Sequence, residues 1–154
     1  MKNTLIFLSL FLLFGCKSKI IDKKPVEVKI AKVAISEVPE NQKNKAYELG
    51  KRVLMTCNTS KFKPFNESEA TQTVIQNTTE AKLTKTCTKF RQYYGTFKDL
   101  QLVEIYKNID DKTTVFRFKA LYSKKVANKE LRVTLNEENK ASAIKSLDWV
   151  GSFH

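Results

Sequence analysis

The stretch TTVFRFKALY (Thr113–Tyr122) decides how the chain folds. Phe116, Phe118, Ala120 and Tyr122 fall on one face of an extended segment, and Arg117 and Lys119 fall on the other. A period of two marks a strand with one buried face. KELRVTLN (Lys129–Asn136) repeats the pattern, with Leu131, Val133 and Leu135 set against Arg132 and Thr134. Gln101–Ile109 and Ala143–Val150 are also rich in β-branched and aromatic residues. Asp110-Asp111 and Glu137-Glu138 stand where tight turns would join these segments. Four strands in sequence with short connections read as an antiparallel meander.

A two-residue turn at Asp110-Asp111 sets a register. Ile105 then faces Phe116 and Val103 faces Phe118 on the core side, and Glu104 falls opposite Arg117 on the outer side. An ion pair on an exposed face is worth under about 1 kcal/mol. In the last segment Leu147 and Trp149 share a face and Ile144 lies on the other. A β-bulge near Lys145–Ser146 would reconcile them.

Upstream the period changes to three and four. Ala46, Leu49, Val53 and Cys57 form one apolar stripe of a helix over about 42–57. Gly50 inside it costs about 1 kcal/mol relative to alanine and permits close approach of another element. Phe62 and Phe65 read as core plugs in the following loop. Asn66, with Glu69 three residues on, has the capping-box pattern of a short helix. Thr78 or Thr79 starts a third helix, striped by Leu83, Cys87, Phe90 and Tyr94 and ended by Gly95. The expectation is an α+β domain over 41–154, three N-terminal helices packed on a curved four-stranded antiparallel sheet.

The order of these elements, with FRFKALY (Phe116–Tyr122), KELRVTLN and IKSLDW (Ile144–Trp149), resembles small nuclear-transport-factor-2-like domains of the cystatin-like superfamily. The resemblance implies a cone-shaped cavity between helices and sheet, in which some members bind small ligands and some act as isomerases or dehydratases. Acids or bases in such cavities are usually Asp, His or Tyr. The candidate cavity groups here are Tyr106, Tyr122 and Asp148, since His154, the single histidine, ends the chain. Each also has a plain reading: Asp148 as a surface carboxylate, the tyrosines as core rings.

The N-terminus carries a separate signal. Lys2 precedes the apolar run Thr4–Phe14, which is too short to span a bilayer and fits a signal-peptide centre. The run ends in Leu13-Phe14-Gly15-Cys16, which resembles the bacterial lipobox. That resemblance implies a signal peptide over 1–15, cleavage before Cys16, a diacylglyceryl group on Cys16 and acylation of the new amino terminus. Two or three acyl chains anchor stably where one does not. Lys17 and Lys19 would sit against anionic head groups. Residues 16–40 read as a lipidated cysteine and tether of roughly 25–30 Å reach, although Val26, Val28 and Ile30 alternate as a strand docked on the domain edge would.

The expected location is the bacterial cell envelope, attached to a membrane through Cys16. The formal charge is +12. A basic surface attracts nucleic acid, anionic lipid or acidic polymers, and export removes nucleic acid as a partner. Export also permits a disulfide between Cys57 and Cys87, worth roughly 3–4 kcal/mol in the chain-entropy model, with two buried free thiols as the alternative. No tetrahedral zinc set, catalytic cysteine–histidine pair or phosphate-binding glycine loop can be assembled, and no cofactor is expected. The functional expectation is a non-catalytic binding module for a protein partner or a small apolar ligand. The alternatives are a lipid-anchored enzyme using an acid in the cavity, and a basic module contacting anionic envelope polymers.

Overall fold

The computed structural model describes residues 29–153. The expected leader, Cys16 and the first half of the expected tether lie outside the described residues, as does His154. The order of elements is β1 (Ile30–Val33), a 3-10 turn (Ile35–Glu37), α1 (Glu40–Thr59), α2 (Gln72–Asn77), α3 (Glu80–Tyr94), β2 (Phe97–Asn108), β3 (Thr113–Tyr122), β4 (Lys129–Leu135) and β5 (Ala141–Asp148). The strands form one antiparallel sheet of five, in the order β1-β2-β3-β4-β5.

The class is α+β as expected, with one strand more than the four expected. Ile30–Val33 pairs with Asn108–Ile105 along the edge of β2. The edge of β2 there would otherwise show a row of unpaired backbone groups. Lys32 Nζ lies 2.7 Å from Glu104 Oε1 and fastens the added strand. Of the segment expected as tether, Ile30–Val33 therefore belongs to the sheet, at the domain edge where the alternative reading put a docked strand.

Apolar spacing explains where β2 bulges. Its core residues are Phe97, Leu100, Leu102 and Ile105, so the inward parity switches twice. The register shifts between Phe97 and Asp99 and again between Leu102 and Glu104. A bulge is the device that moves alternate side chains to the other face. Ile105 faces Phe116 and Glu104 faces Arg117 as expected. Phe118, however, is met by Leu102 rather than Val103, because the second bulge falls at Val103. In β5 the bulge lies near Ser142 instead of Lys145–Ser146, and Ile144 pairs with Val133 on the core side. Leu147 and Trp149 remain on the outer side, so nothing has to be reconciled.

The helices gather on one face. Ala46, Leu49 and Gly50 of α1 are buried against the sheet. A Cβ at Gly50 would stand 2.7 Å from Leu131 Cδ2, so the missing side chain sets the close approach of α1 to β4. Phe62 and Phe65 are buried and meet edge to face, their centroids 5.3 Å apart. Asn66–Glu69 forms a turn without a helix: Asn66 N donates to Glu69 Oε2 as in a capping box, then Ala70 bridges to Ala141. The short helix comes later, at α2. Thr79 caps α3 by accepting from Lys82 N at 3.3 Å, and Gly95 ends it at φ 80°. Among the described residues no helix is long and apolar enough to cross a membrane.

Candidate functional site

Cys57 on α1 and Cys87 on α3 are joined by a disulfide. The bond clamps α3 to α1, and beside it the two helices and β5 leave an open cleft. The cleft holds about 260 Å³ and is lined by Val53, Leu54, Cys57, Leu83, Thr86, Phe90 and Ser146. Val53 and Cys57 come from the apolar stripe of α1, and Leu83 and Phe90 from that of α3. A helical stripe is apolar because it faces a neighbour. Here the neighbours do not close completely, so part of both stripes lines a void. Such a void is near the lower size of small-molecule sites and has the apolar wall typical of them.

Past Phe90 of the cleft wall the surroundings turn polar. Lys129 of β4 is buried, its ammonium 5.5 Å from the Phe90 ring centre and 5.6 Å from that of Tyr94. Asp148, its cross-strand partner on β5, lies 2.7 Å from Lys129 Nζ, with a side chain 79% exposed. None of the candidate cavity groups lines the cleft; Asp148 stands on the helix side of the sheet, two residues beyond the lining Ser146, in solvent. Tyr122 also faces the helices, packed against Tyr94 and Phe97 at centroid distances of 5.8 and 5.6 Å. Burial pushes its phenol up to about 12, which keeps it neutral as a core ring at ordinary pH. Tyr106 is on the opposite face, stacked on Phe153 at 4.1 Å and donating to Glu104 Oε2 at 3.0 Å. The cavity role expected of it fails by strand parity: Tyr106 has the parity of Glu104, and Ile105 points inward. The structure does not bring Tyr106, Tyr122 and Asp148 together.

The outer face holds what sequence reasoning missed. Arg117 is fully buried there. Its Nε donates to Glu130 Oε2 at 2.6 Å, its Nη1 to Glu104 Oε2 at 2.8 Å, and its Nη2 to the carbonyl of Val150. Arg132 Nε donates to the other oxygen of Glu130 at 2.5 Å. Trp149 covers Arg117 with its ring centre 4.0 Å from the guanidinium carbon, and Phe153 lies 4.5 Å from that of Arg132. The hydrogen bonds from Lys32 and Arg117 hold the Glu104 carboxyl down from 4.5 to about 2. The Glu104–Arg117 pair expected to be exposed is thus roofed by the chain after β5. The available signal was a pair of aromatics, Trp149 and Phe153, beyond the last alternating segment.

Among the described residues no group of three or more His, Cys, Asp or Glu is placed to hold a metal ion. A wider groove of about 610 Å³ runs along the other side of the disulfide, between Ser60, Thr84, Thr88, Arg91 and Thr96. Its wall is more polar than that of the cleft. No family model, curated protein or solved structure matches the chain.

Proposed function

We propose that the chain is an exported, lipid-anchored binding module of the bacterial cell envelope, holding a small apolar ligand in the cleft between α1, α3 and β5. The observation that carries this reading is the cleft itself: apolar helix stripes left uncovered beside a covalent clamp. Burial of a ligand's apolar area supplies the affinity, at about 25 cal/mol per Å². The Cys57–Cys87 bond supports an oxidising compartment, in line with the lipobox-like Leu13–Cys16. Helices on one face of a bulged antiparallel sheet support the wider likeness to nuclear-transport-factor-2-like domains. Binding is favoured over an isomerase-like or dehydratase-like activity because Asp148 is solvated and already paired with Lys129. A general acid or base needs a tuned pKa and a place beside the substrate.

The test has two arms. Intact-mass analysis of the protein from a bacterial host should show a chain beginning at a diacylglyceryl-modified Cys16. Titration with N-phenyl-1-naphthylamine should show a saturable rise in dye fluorescence. Thr86→Trp and Ser146→Phe, both at exposed lining positions, should each weaken that binding about tenfold, equivalent to roughly 1.4 kcal/mol. Dye binding left unchanged by both substitutions would remove the cleft as the site.

A further inference from the structure

The charge of this domain is unevenly compensated. Lys32, Lys43, Lys112 and Lys140 each lie within 4.0 Å of a carboxylate. Toward the other end of the strands, Lys119, Lys124 and Lys125 form no ion pair among the described residues, nor does Lys145 midway along β5. Residues 81–98 and 117–129, which build that end, contain no Asp or Glu. The nearby acids are taken: Asp148 by Lys129, and Asp99 by Tyr47 and Lys51.

The same end exposes apolar side chains. The β3–β4 turn is pinned to the end of α3: Lys124 N donates to the Tyr94 carbonyl at 3.1 Å and Lys124 Nζ to that of Gln92 at 2.7 Å. Ala127 N closes the turn on the Lys124 carbonyl at 3.1 Å. Lys125 and Val126 are therefore held at a fixed tip, with Val126 73% exposed. Tyr93 stands beside it, 56% exposed, and Leu121 and Leu147 are exposed on the adjoining outer face of the sheet.

We propose that this end of the domain docks on an anionic lipid bilayer. Cations alone would suit any polyanion. Cations interleaved with rigidly presented Val, Leu and Tyr suit a surface with both charge and an acyl boundary below it. A soluble polyanion gives the apolar tips nothing to bury against. The placement is compatible with an anchor on Cys16, though the docking does not depend on one. Ile30 and Thr113 both pair with Asn108, and β3 carries the chain from there about 30 Å to the docking end. The chain from Cys16 to Ile30 extends at most about 50 Å, so an anchored domain can lie with this end on the membrane.

Trp149 is the single tryptophan and adjoins the patch between Leu147 and Val150. The full chain is mixed with vesicles of zwitterionic phospholipid, with or without phosphatidylglycerol, containing lipids brominated near the head group. The expected result is quenching of Trp149 on the phosphatidylglycerol vesicles only, lost at high salt. Val126→Asp combined with Lys125→Glu, both at exposed positions, should weaken docking about tenfold or more. Ile109→Asp, exposed at the opposite hairpin, should leave it unchanged. Vesicle association without quenching would mean attachment through the N-terminus alone and would overturn the proposal. Equal quenching on zwitterionic vesicles would also overturn it, as would binding to dextran sulfate with no quenching on either vesicle. None of these outcomes bears on dye binding in the cleft, so the two readings fail separately.

Discussion

Arg117 shows how one side chain converts a surface into an interior. A guanidinium out of water is tolerated only when each of its nitrogens has a partner. Glu130, Glu104 and the Val150 carbonyl engage them. Removing one partner of such a cluster costs far more than the pair contributes, because the remaining charge stays buried. Glu104 gives the cluster a pH dependence. Its folded-state carboxyl lies near 2, below the 4.5 of an unperturbed glutamate. The group therefore contributes stability in full above about 4.5, and that contribution is lost as pH falls toward 2. Urea unfolding followed over this range should show stability declining in the native chain and declining less steeply in Glu104→Gln. Parallel pH profiles for the two proteins would show that the Lys32 and Arg117 hydrogen bonds do not act on Glu104 in solution.

At the scale of elements, α3 is a long helix held by few buried side chains. Its stripe of Leu83, Cys87, Phe90 and Tyr94 was legible from spacing alone, as were a start at Thr78 or Thr79, of which the structure takes Thr79, and the Gly95 stop. Only Cys87 of that stripe is buried, and α3 rests on α1 with the disulfide between them. The Cys57→Ser, Cys87→Ser double variant should lose roughly 3–4 kcal/mol for a loop of 30 residues. Hydrogen exchange should locate the loosening: protection should fall first along α3, while β3 and β4 retain theirs. Uniform loss across sheet and helix would mean that α3 is not a separately yielding element. The strands were legible for a different reason. Alternation in β3 and β4 reports a single buried face, whereas the two bulges of β2, which switch its inward parity between Phe97, Leu100, Leu102 and Ile105, were not anticipated. The turn at Asp110-Asp111 gave the right pairing of Ile105 with Phe116. It could not reveal the bulge at Val103, because valine suits either face.

For the molecule as a whole, the tail after β5 decides which faces of the sheet meet water. Helices cover one face, and Trp149 to Phe153 cover the charge cluster on the other. A chain ending at Asp148 should be less stable by about 3 kcal/mol, combining a lost hydrogen bond to a charged donor with a lost ring over a desolvated guanidinium. A shift of the urea midpoint with an unchanged m-value is the expected signature. An unaltered midpoint would mean that the tail lies against the sheet without holding it.

The sequence by itself determined the class of the fold, the apolar stripes of the two long helices, the alternation of the central strands and the partnership of Glu104 with Arg117. Each of these is written in the spacing of apolar residues along a few turns or strands, which is local information. Only the tertiary structure decided that Ile30–Val33 adds a fifth strand, that Tyr106 turns away from the helices and that α1, α3 and β5 leave a cleft. It also decided that the C-terminal aromatics bury the ion cluster. Those outcomes depend on which surfaces far apart in the chain come to cover one another, and burial, unlike periodicity, is a property of the assembled chain.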